Sequence, residues 1–334
     1  MTTAPWADGR ERGTTALVQL MIRLTLGLGW PVGQALLYPI TLYFFLFSRG
    51  ARSASSRYLN RVLGRRAAPR DVFRHLFTFA SVLLDRLFLL SNRLQYFRIV
   101  STGVDHVTSA LAQGRGCVLL GSHLGSFEVL RAFARQSPVP VRVLMYRANT
   151  GAYSRVVEQL DPTMTDAIIE IGTPEAMLRV RESMARGEMD GILADRAPAG
   201  QKMVSVPFLG APAQLPTGPL LLCAALGVPI VLFFGVRTGS RRYAIHFEPF
   251  ADHIILQRSR RAEEVAGWVR RYAERVEAHC RSYPFNWFNF YDFWGSPAHA
   301  AASAHVRPVA AGDVAPAPAR GSEGISAAAA GRNR

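Results

Sequence analysis

Apolar positions fall into three regimes along this chain, and each predicts a different kind of element. From Leu24 to Phe47 the run LTLGLGWPVGQALLYPITLYFFLF carries no charged residue over 24 positions, a length that reaches about 36 Å as a helix and matches a membrane anchor. A second apolar stretch, Val72–Leu90, is interrupted by Arg74, His75, Asp85 and Arg86, the pattern of a buried or partly buried helix. Past residue 110, short apolar runs alternate with helical periodicity, which predicts an α/β domain. Strands are expected near Cys117–Ser122, Val141–Tyr146, Gly191–Ala194, Ile230–Val236 and Tyr243–Phe247. Helices are expected near Phe127–Arg135, Pro174–Arg186 and Gly218–Leu226, the last started by Pro216 and Thr217. A final helix from about Ala262 to His279 sets Val265, Trp268, Val269, Tyr272 and Val276 on one stripe. Beyond Ser296 the Ala, Gly, Pro and Arg residues leave too few large apolar groups for a core, so the tail is expected to be disordered.

The expected organisation is an N-terminal stub (1–16), a membrane anchor (17–48), a basic and apolar helical region (49–110), an α/β domain (111–296) and the tail (297–334). The fold class is α/β, a mixed central sheet flanked by helices behind a membrane-anchoring front end. Pro31, Pro39, Gly27, Gly29 and Gly33 weaken a straight helix, so the anchor either spans the bilayer or lies re-entrant in one leaflet. Arg49, Arg52, Arg57, Arg61, Arg65 and Arg66 follow it closely, which favours a body on the cytoplasmic side.

Charge sharpens this picture. The net charge is +15 with 49% hydrophobic residues, and Lys202 is the one lysine, so arginine supplies nearly all the cations. Arginine's planar fork suits phosphate, and the combination points to an anionic membrane surface. Nucleic acid is not expected, because no zinc spacing, basic heptad or RNA-binding aromatic motif accompanies the charge. Cys117, Cys223 and Cys280 are scattered and read as buried thiols. None has metal-ligand spacing, so a metal-free chemistry without a bound cofactor is expected.

The most informative local feature is His123 followed five positions later by Glu128 in CVLLGSHLGSFEVL. On one continuous helix such residues would lie about 140° apart and could not meet. The histidine must therefore sit on the strand-to-helix loop, with Gly125 letting the chain turn and Ser126 placed to cap the helix. There Glu128, near a helix N-terminus, is expected to hold the imidazole from behind and raise its basicity. The pair reads as a general-base dyad acting on a hydroxyl. Backbone amides around Gly125 and Ser126, or a nearby arginine, would then stabilise an oxyanion.

GSHLGSFEVL, followed in order by MYRAN, GILADR, VPFLGAPAQLPTG and GVPIVLFFGV, is similar to the bacterial lysophospholipid-type acyltransferases, and within them to the late acyltransferases of lipid A biosynthesis. The resemblance runs from about Val118 to Pro249. It implies a His-x4-Asp/Glu dyad, His123 and Glu128, in which the histidine deprotonates an acceptor hydroxyl for attack on an acyl thioester. Acyl carrier protein is the implied donor, with coenzyme A as the alternative, and a lipid is the acceptor, in a bacterial inner membrane. Arg147 matches the arginine of the Tyr-Arg block and Asp195 the aspartate closing the next strand. Lipid A enzymes tend to have a second acidic residue soon afterwards, where this chain has Arg196; Arg147, placed to bind a phosphate of the acceptor or of the donor's phosphopantetheine arm, and Asp195 and Arg196 are assigned to substrate binding. The aromatic end, Tyr283–Trp294, resembles a subset associated with aryl-polyene or other unusual lipids. Two other readings compete: a serine acyl hydrolase using Ser122 or Ser126, which lacks a Gly-x-Ser-x-Gly elbow, and a non-catalytic membrane scaffold.

Overall fold

The computed structural model describes residues 15–91, 93–130, 139–145, 167–198 and 200–295, with backbone alone for 15–20. The expected tail lies outside these residues, as do most of the N-terminal stub and of the helix expected after Phe127.

The long apolar run is not one helix. Helix α1 (Thr15–Leu28) and helix α2 (Trp30–Phe47) are separated at Gly29, whose φ of 91° is open to glycine at little cost, and Pro31 starts the second helix where its missing N–H is harmless. Trp30, Gly33, Leu37 and Thr41 form the buried stripe of α2. Val32, Tyr38, Leu42, Tyr43, Phe44, Leu46 and Phe47 remain exposed on it. Gly33 permits the close packing, since a Cβ there would stand 2.7 Å from Thr25 and 2.9 Å from Leu84. The partner is helix α4 (Pro69–Leu90). Between them, α3 (Arg49–Leu63) ends on left-handed Gly64. At the start of α4, Asp71 accepts the Ala68 N–H at 2.9 Å and pairs with Arg65 at 2.7 Å. Helix α4 is a core element, as its charged interruptions led one to expect: His75 and Asp85 are fully buried.

A seven-stranded sheet follows. Its strands are β1 (Arg98–Thr102), β2 (Cys117–Gly121), β3 (Val141–Met145), β4 (Ile168–Glu170), β5 (Met189–Leu193), β8 (Ile230–Gly239) and β9 (Arg242–Ala251), in the order β1-β9-β8-β2-β5-β3-β4. All pairings are parallel except β8 with β9. The strand β1 lies within the stretch read as helical, and with α5 (Val104–Leu111) it extends the sheet's edge. A separate antiparallel hairpin pairs β6 (Met203–Phe208) with β7 (Ala211–Pro216). Helices α6 (Pro174–Ala185), α7 (Gly218–Leu226) and α8 (Arg261–Ser282) complete the domain.

Strand β2 shows how the sheet divides the core. Val118 and Leu120 join Val265, Val269, Tyr272 and Val276 of α8 on one face. Cys117 and Leu119 join Val82 and Leu89 of α4 and Val107 and Ala110 of α5 on the other. Alternate side chains take opposite faces, and every residue of β2 is buried, as in a central parallel strand covered on both sides. The three cysteines are free and buried.

Candidate active site

The register of the two central strands assembles the site. β2 and β5 pair in parallel from Cys117↔Met189 to Gly121↔Leu193. Continuing two residues past that last pair brings His123 beside Asp195, at the carboxyl ends of the strands, where open α/β sheets gather ligands. Asp195 Oδ1 lies 2.7 Å from His123 Nδ1 and accepts the His123 backbone N–H at 3.0 Å. A carboxylate only accepts, so Nδ1 carries the proton and Nε2 keeps its lone pair. Asp195 is almost fully buried, while the His123 side chain is 36% exposed.

Electrostatics follow this geometry. Burial alone would push the Asp195 carboxyl up, but the charge and hydrogen bond of His123, with the charge of Arg196, hold it well below the usual carboxylate range. Burial first, then the charge of Arg196, lowers the His123 pKa, and Asp195 offsets only part of that. At neutral pH the imidazole is thus neutral, the state of a base ready to accept a proton.

The contact expected between His123 and Glu128 does not form. Glu128 sits at the start of the helix after the loop, over 128–130, and its two oxygens are otherwise engaged. Oε1 lies 2.7 Å from Arg86 Nε and Oε2 accepts the Ser126 hydroxyl at 2.9 Å. Sequence proximity suggested Glu128, whereas strand register gives the Nδ1 position to Asp195. Glu128 instead ties the histidine loop to α4.

Gly125 makes the turn as expected, at φ 76°, and a Cβ there would stand 2.0 Å from the Gly235 carbonyl oxygen. The loop amides, however, are already committed. Gly125 N–H donates to the Asn286 carbonyl and Ser126 N–H to the Gly235 carbonyl, each at 2.7 Å. Neither is an oxyanion donor in this conformation, which corrects that expectation. Ser126 also donates its hydroxyl to Glu128 rather than serving as the expected cap, and it is buried at 2% exposure, as Ser122 is at 7%. That geometry does not fit a serine nucleophile. Arg196 donates to the Phe288 carbonyl and stands 5.7 Å from the Tyr291 ring centre. Arg147 lies outside the described residues.

Sequence analysis singled out the aromatic end Tyr283–Trp294 but not its contact with the site. Trp287 is wholly buried among Tyr58, Phe208 and Phe293, at ring distances of 5.0, 5.2 and 4.7 Å, and is part of the core. Its indole N–H donates to Asp195 Oδ2 at 3.2 Å. Nothing in the local sequence signals that contact. A cavity of about 610 Å³ lies at the opposite end of the sheet, lined in part by His106, His253, Trp268 and Arg271, and does not include His123.

An α/β enzyme with a carboxylate-held imidazole at the mouth of its sheet is equipped to draw a proton from a hydroxyl, and comparison with known proteins supplies the reaction class, acyl transfer. Residues 89–296 match the model of the bacterial lipid A biosynthesis acyltransferases, and the chain belongs to that family. It is also 24% identical, over 285 residues covering 80% of this chain and 89% of the relative, to a phosphatidylinositol mannoside acyltransferase of Mycolicibacterium smegmatis. The protein is an acyltransferase.

Proposed function

We propose that this acyltransferase is membrane-bound and moves a fatty acyl chain from an acyl thioester to a hydroxyl of a lipid. The His123–Asp195 contact of 2.7 Å carries the reading, because it leaves Nε2 as the basic nitrogen of a partly exposed imidazole. An alcohol is a poor nucleophile at neutral pH. His123 Nε2 takes the acceptor's hydroxyl proton as the alkoxide oxygen bonds to the thioester carbonyl carbon. The tetrahedral oxyanion then collapses, the carbon–sulfur bond breaks, and the imidazolium returns its proton to the departing thiolate. Asp195 steadies the imidazolium between these steps. Arg196, near enough for its charge to lower the His123 pKa, supplies positive potential to the oxyanion. No metal or resident cofactor takes part in this scheme.

The donor is acyl carrier protein, or alternatively coenzyme A, and a basic protein suits an acidic carrier. The acceptor is a lipid A precursor, a phosphatidylinositol mannoside or a related glycolipid, consistent with the names of the family and the relative. Helix α2 offers an exposed apolar face, and Trp30–Phe47 is long and apolar enough to cross a membrane. Arg52 donates to the carbonyls of Phe45 and Leu46 at the end of that helix. The arginines that follow it fit anionic headgroups on the cytoplasmic face of an inner membrane.

The test is to incubate the purified protein with palmitoyl-carrier protein or palmitoyl-coenzyme A and each acceptor in mixed micelles, and to weigh the lipid product by mass spectrometry. A product heavier by one acyl group, lost in His123→Ala, is expected. Equal product formation by that variant refutes the base assignment.

A further inference from the structure

The second oxygen of Asp195 has a partner of its own, and that partner is held from behind with unusual care. Trp287 forms an antiparallel bridge with Leu124, flanked by Gly125 N–H to the Asn286 carbonyl at 2.7 Å and Phe288 N–H to the His123 carbonyl at 3.1 Å. The Asn286 side chain in turn accepts the Arg237 N–H at 2.8 Å and donates to the Arg237 carbonyl at 3.2 Å. The strap is thus stitched both to the histidine loop and to β8.

On the far side, His75 of α4 is wholly buried, with Nε2 2.9 Å from the Trp287 carbonyl and Nδ1 2.8 Å from the Ser55 hydroxyl. A carbonyl only accepts, so the His75 proton is on Nε2 and Nδ1 accepts from Ser55. Burial pushes the His75 pKa down to about 4, which keeps this arrangement neutral. Donors run in one direction: Ser55 hydroxyl to His75, His75 to the Trp287 carbonyl, and the Trp287 indole to Asp195. The line begins on α3 and α4, the helices behind the apolar front end.

We propose that Trp287 is a positioning residue for the reaction: its indole N–H fixes Asp195 Oδ2, so that Oδ1 stays aligned on His123 Nδ1, and His75 with Ser55 holds Trp287 in place. This rests on the base role given to His123 above. Without the indole, Oδ2 becomes a buried acceptor with no described donor, and more negative charge stays on Oδ1. The imidazolium is then held more tightly, while the carboxylate is freer to turn.

The test reads the His123 titration directly, by site-resolved carbethoxylation with diethyl pyrocarbonate across pH, in wild type, Trp287→Phe, Asp195→Ala and the double variant. Trp287→Phe is expected to raise the His123 pKa by about half a unit to one unit, and to do nothing further once Asp195 is alanine. With palmitoyl-coenzyme A and phosphatidylinositol mannoside, kcat falls about tenfold at unchanged KM. Should Trp287→Phe misfold by thermal melt, 3-benzothienylalanine at 287 keeps the ring's shape and removes only the N–H. An unmoved His123 titration, or the same shift with and without Asp195, overturns the proposal. Because that readout needs no turnover, it is separable from the base assignment, which fails instead if His123→Ala transfers acyl groups at the wild-type rate.

Discussion

Two buried aspartates bracket strand β5, and they titrate in opposite directions. Asp190, near its start, is pushed up to about 6 by burial and by the neighbouring Glu188, with Ser183 and two arginines offsetting only part. Asp195, just past its end, is held well below the usual range by His123 and Arg196. Both are essentially inaccessible, at 0% and 1%, so burial does not separate them. Donors do. Asp195 receives two N–H groups of His123 and the Trp287 indole. Asp190 meets the Ser183 hydroxyl at 2.7 Å, and that hydroxyl also lies 3.0 Å from Glu188. One hydroxyl proton cannot serve both carboxylates, so the two Ser183 contacts are both hydrogen bonds only when one carboxyl carries a proton, and Asp190, whose pKa is raised, takes it first. The same residue type is therefore an anion set against an imidazole at one end of the strand and, at the other, a structural group that takes up its proton near pH 6.

The comparison is broken most forcefully at the reactive end. His123→Ala and Asp195→Ala are each expected to lower kcat by about 10²–10⁴-fold. In the intact enzyme the acid limb of the rate profile falls below the ordinary histidine value, since the His123 pKa is lowered and activity is lost as pH drops through it. Gly125→Ala comes next: a left-handed residue whose new Cβ meets the Gly235 carbonyl should cost about 2–4 kcal/mol in a urea melt and displace the histidine loop.

At the structural end the signs differ. The folded pKa of Asp190 is raised, so its stabilising contribution is complete below the unfolded value near 4 and is lost as pH rises through about 6. Asp190→Asn should therefore gain about 2 kcal/mol at pH 8 and nothing at pH 4, with acyl transfer unchanged. Glu188 is the converse: its hydrogen bond from Arg186 first, with help from Arg142 and Ser183, pushes it down to about 2. Its contribution is present above the unfolded value near 4.5 and fades as pH falls through about 2. Glu188→Gln should lose about 1 kcal/mol at pH 7, the small figure reflecting the half-exposed Arg186 partner, and the loss should vanish in acid.

Much of this architecture was legible because buried parallel strands are apolar runs. Strands β2, β5, β8 and β9 and helix α7 announced themselves that way. The β6–β7 hairpin did not, since Pro207, Pro212 and Gln214 dilute its alternation. Strand β1, a half-exposed edge of Arg, Ser and Thr among two apolar residues, left the same faint trace. At the front end the hydropathy is continuous, and the break between helices falls at Gly29, one of the glycines already seen to weaken a straight helix. At the site, His123 and its loop could be read locally. Its partner could not, because spacing along the chain pointed to Glu128 while pairing between β2 and β5 selected Asp195. That pairing was accessible in principle, given the matching Gly121 and Leu193 strand ends. The Trp287 contact depends on a segment that returns more than 90 residues after Asp195, and no local pattern carries it.

The central claim is that Asp195, and not Glu128, sets the proton on His123. Selective 15N labelling of histidine in the detergent-solubilised protein at pH 8 tests it directly through the ring-nitrogen shifts of His123. Expected are a protonated Nδ1 and a bare Nε2, a pattern lost in Asp195→Ala and retained in Glu128→Gln. A protonated Nε2 in the wild type, or a pattern that disappears with Glu128 and survives the loss of Asp195, would contradict the account.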